Sequence, residues 1–138
     1  MTEILASSST IKGGSPRVPP LLFAPYRLPA KRYSAPFERG ESMACPSLVM
    51  RYVPNGLEKS CLGVITAKKT FHLAVNRNRA RRLMREAFRL ERPRLVPGYD
   101  LILIGRRKLT TQTCGEVRRD FLWLCRKAKL MRNEVEGA

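Results

Sequence analysis

The most regular part of this chain, residues 74–92, reads AVNRNRARRLMREAFRLER. An α-helix turns by about 100° per residue, so apolar residues three or four apart gather on one side of it. This stretch has such a side, formed by Ala80, Leu83, Ala87 and Leu90, with Met84 and Phe88 at its margin. We therefore predict a helix from Ala74 to about Arg92 that packs this side against a sheet.

Arginines form a row along another flank of the same predicted helix. They are spaced four, four, four and three residues apart, as Arg77, Arg81, Arg85, Arg89 and Arg92, and Arg79 and Arg82 widen the positive surface. Like charges four apart cost about 0.2–0.5 kcal/mol per pair, and bound phosphates would remove that cost. A charged helix face is ordinarily only solvated, but this one has just two acids, Glu86 and Glu91. The row therefore indicates contact with RNA or DNA.

The charge of the whole chain supports a polyanionic partner. Its 138 residues include 27 Lys and Arg against 11 Asp and Glu, a formal net charge of +16 at pH 7. The length suits one small domain, and such a charge makes a compact domain repel itself unless a polyanion lies close by. Nucleic acid is the leading partner, and an anionic membrane surface is the second. The longest apolar run, residues 101–104, is too short to cross a bilayer.

Residues that could hold a metal or carry out hydrolysis are dispersed along the chain. The acids show no DxD spacing, His72 is the single histidine, and no CxxC pair occurs among Cys45, Cys61, Cys114 and Cys125. Metal-assisted hydrolysis needs clustered carboxylates, and a zinc site needs closely spaced Cys and His ligands. We therefore expect no metal site and no catalytic residue in the protein, and reduced, buried thiols.

The beginning of the chain predicts an arm followed by a short helix. Residues 1–27 are rich in Ser and Pro without any period, which is typical of a disordered or extended arm. We expect no organellar transit segment there. Residues 30–41 predict a short helix in which Tyr33 and Phe37 share one face, although Pro36 lies inside it.

Strand patterns flank the arginine-rich helix. Residues 47–53 and 62–68 are predicted strands, and Pro54-Asn55-Gly56 between them predicts an antiparallel hairpin. Residues 99–105 form a third, buried strand, and residues 115–129 a terminal helix capped near Thr113. The order α-β-β-α-β-α, with room for an extra short strand, predicts an α+β fold in which one small sheet packs against helices.

Three adjoining motifs resemble one family. The segment from Ala74 to Arg89 is similar to the RNR signature of the bacterial ribonuclease P protein subunit. The stretch LGVITAKK, residues 62–69, resembles that family's strand ending in a Lys-Lys pair, and GYDLILIGR, residues 98–106, resembles its next strand. The resemblance spans about residues 28–129. It departs from the family after Lys69, where the linker of residues 70–73 replaces the usual Gly and has one extra residue.

The resemblance implies a fold and a division of the chain. It implies a small mixed sheet with a left-handed βαβ crossover through the RNR helix, similar to domain 2 of ribosomal protein S5. This is an exception to the usual right-handed rule. The RNA-binding domain would occupy residues 28–130, after the arm of residues 1–27 and before a disordered tail of residues 131–138.

The resemblance also implies a function. In that family the protein joins a catalytic RNA, and the complex removes the 5′ leader from precursor tRNA. The RNA and its bound Mg2+ perform the hydrolysis, and the protein binds no metal of its own. The expected partners are ribonuclease P RNA and precursor tRNA in a bacterial cytoplasm, with no DNA, membrane or homo-oligomer. The alternative is a ribosomal or general RNA-binding structural protein without a role in cleavage.

Site residues carry over by position. The residues expected to contact the catalytic RNA are Arg77, Asn78, Arg79, Arg81, Arg82, Arg85 and Arg89 on the helix, and Lys68 and Lys69 at the strand end. A cleft between the first helix and the sheet would hold the single-stranded leader, lined by Tyr33, Phe37, Tyr52 and Ala67. The alternative interpretation of the three aromatic residues is that they belong to the core.

Overall fold

The computed structural model describes residues 26–132. The predicted arm of residues 1–27 and tail of residues 131–138 fall outside this range except for two residues each. Of these, Tyr26 packs its ring against Phe88, with centroids 6.2 Å apart, and Met131 forms an isolated bridge with Leu95. The fold therefore includes the last residues of the arm and the first residues of the tail.

Three helices and four strands lie within residues 26–132. The helices are α1 (Ser34–Glu38), α2 (Ala74–Glu91) and α3 (Cys114–Lys127), and the strands are β1 (Glu41–Ala44), β2 (Leu48–Pro54), β3 (Cys61–Ile65) and β4 (Tyr99–Gly105). Short 3-10 turns lie at Ala30–Arg32, Arg92–Arg94 and Arg107–Thr111. The predicted α+β order is confirmed, and β1 is the extra short strand.

The sheet has the order β1-β2-β4-β3, which makes one sequence prediction wrong. Strands β2 and β3 do not form a hairpin, because β4 lies between them, antiparallel to β2 and parallel to β3. Strand β4 has a continuous buried run, Leu101 to Leu103, so it needs partners on both edges and cover on both faces. The turn at residues 54–56 only ends β2. Helix α2 connects the parallel strands β3 and β4, and the hand of this crossover stays a prediction.

One face of the sheet carries the main core. Leu48, Met50, Leu101 and Leu103 point to this face and pack with residues of α2 and α3. Phe88 of α2 meets Phe121 of α3 edge-on, with ring centroids 6.4 Å apart. Each fully buried side chain of this size contributes about 1.5–3 kcal/mol of transfer free energy.

The apolar side predicted for α2 is confirmed with one correction. Ala80, Leu83, Met84, Ala87 and Phe88 are buried, whereas Leu90 is only half-buried. The next residue, Glu91, is buried in its place. Its carboxylate accepts from the guanidinium groups of Arg118 on α3 (2.7 Å) and Arg94 (3.2 Å), so it ties the end of α2 to α3.

Helix α1 covers part of the opposite sheet face and is shorter than predicted. It ends at Glu38, and residue 41, predicted as helical, begins β1. Pro36 is the third residue of α1, where a missing N–H costs little because the first turn has no intrahelical acceptor for it. Gly40 follows at a point where any Cβ would overlap the carbonyl oxygen of Pro36, so only glycine fits between α1 and β1.

The terminal helix begins as its sequence indicates. The Thr113 hydroxyl accepts from the Glu116 N–H at 3.2 Å, and the Glu116 carboxylate accepts from the Thr113 N–H at 2.9 Å. This reciprocal pair satisfies two N–H groups that the first turn would leave without partners. The prediction that Thr113 caps this helix is therefore confirmed.

Candidate nucleic-acid interface

The arginine row occupies the flank of α2 that faces away from α3. Arg77, Arg81 and Arg85 lie on it, each half-buried. Arg79 is on the opposite flank, where its guanidinium donates to the carbonyl oxygens of Thr110 (3.3 Å) and Gln112 (2.7 Å) just before α3. Arg79 therefore braces the turn that leads to α3, a role that the sequence prediction did not assign.

Acids neutralise only part of the row. Arg89 forms an ion pair with Glu86 one turn earlier, with 2.7 Å between nitrogen and oxygen. Arg81 instead donates to the neutral side-chain oxygen of Asn78 at 2.9 Å. Arg92, at the end of the row, places its guanidinium 4.3 Å from the centre of the Tyr26 ring. Of these three arginines, Arg89 alone is paired with a carboxylate, and Arg81 and Arg92 contact uncharged groups that leave their positive charge in place.

The loop that enters α2 places two lysines beside the row. Lys68 and Lys69 are exposed in a turn closed by hydrogen bonds from the Thr70 and Phe71 N–H groups to the Ala67 carbonyl. Arg77 then donates to the carbonyl oxygen of Phe71 at 2.8 Å. This bond holds the turn against the first part of the helix, so the lysines and the row form one basic surface.

Phe71 explains how the unusual linker is tolerated. Its side chain is 1% exposed, and its ring lies so close to Gly105 that a Cβ at position 105 would be 3.1 Å from it. The sequence predicts only a linker at residues 70–73, because a single aromatic residue without a periodic neighbour gives no packing signal. The linker is instead anchored in the core, while His72 and Leu73 remain exposed.

A small cavity joins the arginine row to the first helix. Its volume is about 350 Å³, and it is lined by Arg27, Leu28, Ala30, Tyr33, Leu62, Val64 and Arg85. Burial, together with the positive charges of Arg27 and Arg81, lowers the pKa of the Arg85 guanidinium from its ordinary value. A phosphate in or beside this cavity would offset the repulsion between these cations.

The surface between helix α1 and the sheet, next to this cavity, is the candidate groove. Tyr33 is half-buried above Gly63, and Phe37 is 43% exposed with the Arg51 guanidinium 5.0 Å from its ring centre. Arg51 also donates to the carbonyl oxygens of Pro36 and Phe37. The groove thus presents two aromatic rings beside cationic side chains, which is the combination that single-stranded nucleic acid favours.

An ion pair fixes the approach to α1. Arg32, in the 3-10 turn before the helix, donates two hydrogen bonds to the Asp100 carboxylate, at 2.9 and 3.0 Å. Asp100 is nearly buried on β4 and also accepts from Asn55 at 2.8 Å. This two-point contact locks the segment before α1 onto the sheet, and so sets the position of Tyr33.

Tyr52 does not belong to this groove, so that sequence prediction is wrong. Its side chain is 8% exposed and packs in the main core on the other sheet face, where its hydroxyl donates to Glu41 at 3.2 Å. Burial, with the neighbouring Glu41 carboxylate, raises the pKa of this phenol. Alternation along β2 gives the groove face to Arg51 instead.

The groove is also lined by residues that the sequence did not single out. Ile65 and Ile104 are half-buried on the face that α1 covers, next to the buried Ile102. Ala67, which was predicted to line the groove, lies beyond the end of β3 and is exposed in the turn that carries the lysines. Strand alternation separates the two faces of a sheet but does not say which one a distant helix covers.

Within residues 26–132, no three His, Cys, Asp or Glu side chains come together as a group that could hold a metal ion. The same part of the chain contains no helix that is both long and apolar enough to span a membrane.

Comparisons with known proteins agree with this geometry. The sequence model of the family described as "Ribonuclease P" matches residues 26–129. The chain is 37% identical over 103 residues to the ribonuclease P protein component of Pelotomaculum thermopropionicum, covering 75% of this chain and 91% of the relative. It is 38% identical over 101 residues to that of Dehalococcoides mccartyi, covering 73% of this chain and 82% of the relative.

Solved structures show the same similarity to ribonuclease P proteins. The RNase P protein from Thermotoga maritima superposes with a TM-score of 0.65 at 30% identity, covering 72% of this chain and 96% of that one. A mutant RNase P protein from Staphylococcus aureus superposes with a TM-score of 0.72 at 24% identity, covering 81% and 95%, and supports the fold. The arginine-rich helix, its sheet and these similarities together place the chain in the ribonuclease P protein family.

Proposed function

We propose that this protein binds the catalytic RNA of ribonuclease P through the arginine row and Lys68–Lys69, and binds the 5′ leader of precursor tRNA in the groove under α1. One observation carries the proposal: Arg85 of the row and Tyr33 of α1 line the same cavity. A strand leaving the groove would therefore meet the basic surface without crossing neutral protein. The two partners would lie side by side on one molecule.

In this proposal the hydrolysis belongs to the RNA. Three of the described carboxylates stabilise the fold: Asp100 holds Arg32, Glu91 holds Arg94 and Arg118, and Glu86 pairs with Arg89. This donor set does not fit a protein-held Mg2+, which prefers carboxylate oxygens free to converge on it. We assign the Mg2+ to the RNA and place the complex in the bacterial cytoplasm, where tRNA precursors are made.

The protein would assist by positioning and by charge. Cations at Lys68, Lys69 and Arg81 would neutralise RNA phosphates, so that the folded RNA needs fewer counterions. Aromatic stacking at Tyr33 and Phe37 would hold leader bases with little sequence preference. The stacking favours precursor over mature tRNA, because only the precursor has a leader.

Reconstitution tests this function. We expect the full chain, added to a bacterial ribonuclease P RNA, to lower the Mg2+ concentration needed for precursor cleavage and to tighten binding of precursor relative to mature tRNA. The protein alone, with Mg2+, should leave the precursor intact. Robust cleavage by the protein alone would refute the proposal that the RNA performs the hydrolysis. An equal gain in affinity for precursor and mature tRNA would favour a general RNA-binding structural protein.

A further inference from the structure

The outer face of α3 has features that the proposed function does not use. Trp123 is the only tryptophan of the chain, and it is 44% exposed on this face. Large aromatic side chains usually bury most of their surface. Isolated exposed apolar residues are common. The neighbours of Trp123 therefore decide whether its exposure indicates a binding surface.

Those neighbours are mainly cationic. The Lys127 ammonium lies 5.5 Å from the centre of the indole ring, one turn further along α3. Arg119, one turn earlier, and Arg126 are also exposed. Two acids of α3 lie on this side, and both are already engaged: Asp120 accepts from Ser47 at 2.7 Å and Gln112 at 2.9 Å, and Glu116 accepts from the Thr113 N–H at 2.9 Å. The ion pair of Asp120 with Arg119 is long, at 3.4 Å. Positive charge therefore dominates around the ring.

This surface is separate from the arginine row. Arg118, on one flank of α3, reaches across to Glu91 of α2. Asp120, on the other flank, faces the start of β2, and Trp123 follows it by three residues, which is the same side of a helix. Helix α3 thus lies between the row and Trp123, and one straight RNA segment cannot cover both.

We propose that Trp123, Arg119 and Lys127 form a second RNA-binding surface, on which one unpaired base of the ribonuclease P RNA stacks while its flanking phosphates contact the cations. The inference rests on the proposed RNA partner. An indole face stacks on any base, and cations beside it suit the phosphates on either side of that base. A protein partner bound through the indole would instead have to accommodate these exposed cations.

The indole itself reports the contact. Because Trp123 is the sole tryptophan, tryptophan emission, excited selectively over the four tyrosines, comes from this surface alone. We expect saturating ribonuclease P RNA to quench this emission and to protect it from iodide. Emission and iodide accessibility that stay unchanged while the RNA binds would overturn the inference and leave the proposed function intact.

Substitution provides an independent readout. Trp123→Ala should weaken RNA binding about tenfold, and Trp123→Phe, which keeps a ring, should retain most of the affinity. Leu57→Ala is the matched control, since Leu57 is a large apolar residue of similar exposure, 48%, on the loop after β2. In a nuclease footprint, Trp123→Ala should expose RNA nucleotides different from those exposed by Arg81→Ala with Arg85→Ala.

Three further outcomes would also overturn the inference. Equal affinity of Trp123→Ala and wild type would overturn the inference. So would an emission change that depends on protein concentration without RNA, because it would assign the surface to a second copy of the chain. A wild-type chain that does not bind the RNA at all would overturn both this inference and the proposed function.

Discussion

Replacing both Arg81 and Arg85 by alanine is expected to weaken binding of ribonuclease P RNA tenfold or more and to flatten its dependence on salt. Each side chain would lose a charge-assisted contact with a phosphate, and such contacts contribute roughly 1.5–3 kcal/mol before compensation by neighbouring cations. Each lost phosphate contact also lowers the slope of log affinity against log salt, by about 0.9 on duplex and about 0.7 on single strands. Filter binding at four or five salt concentrations measures both quantities.

The matched control removes the same charge elsewhere. Lys59→Ala with Arg107→Ala takes two exposed cations from the loop after β2 and the turn after β4. If the row makes specific contacts, this control should keep the wild-type slope. Equal slopes of log affinity against log salt for wild type and the Arg81/Arg85 variant would mean that the row does not contact the RNA. Equal losses in both double variants would mean that net charge alone drives binding.

Replacing Tyr33 and Phe37 by alanine is expected to lower the affinity for leader-bearing precursor tRNA at least tenfold and to leave mature tRNA almost unchanged. Stacking of a base on an aromatic ring contributes about 1–3 kcal/mol, and mature tRNA has no leader to lose it. The measurement is the ratio of the two dissociation constants for the reconstituted complex. A loss of the same size for both tRNAs would argue that these rings do not hold the leader.

Two further variants test whether the leader is held by Tyr33 and not by Tyr52. A Cβ at Gly63 would lie 2.5 Å from the Cζ and hydroxyl oxygen of Tyr33, so Gly63→Val should displace the ring and reproduce the effect of Tyr33→Ala. Combining Gly63→Val with Tyr33→Ala should add little. Tyr52→Phe should leave the ratio at its wild-type value, since Tyr52 lies in the core on the opposite sheet face. A reduced ratio in Tyr52→Phe would contradict the groove described above.

Local patterns in the sequence predicted the parts of the fold that depend on local spacing. The bounds of α2 and β4, and the cap at Thr113, follow from periodicity and from side chains within one turn. The hairpin prediction failed because the pairing of β2 depends on β4, which lies more than forty residues further along the chain. Turn signals show where a strand ends, but they do not identify its partner.

The sequence likewise predicted one part of the candidate site and missed others. The row on α2 needed only helical spacing. Tyr52 was assigned to the wrong face because alternation on β2 does not reveal which face α1 covers. The cavity between Arg27 and Arg85 was missed because it requires the segment before α1 to bridge to Leu62 of β3, a contact set by the whole fold. Phe71 was missed for a similar reason, since its burial depends on Gly105.

Site-specific crosslinking tests the central claim most directly. A benzophenone amino acid placed at Asn78, which is exposed and accepts a hydrogen bond from Arg81, reports what lies against the row. The same group at Glu58, exposed on the loop after β2, serves as the control. In the reconstituted complex, irradiation should join position 78 to ribonuclease P RNA with much higher yield than position 58. Equal yields at the two positions, or no RNA adduct at position 78, would contradict the proposal that the arginine row of α2 is the surface that binds the catalytic RNA.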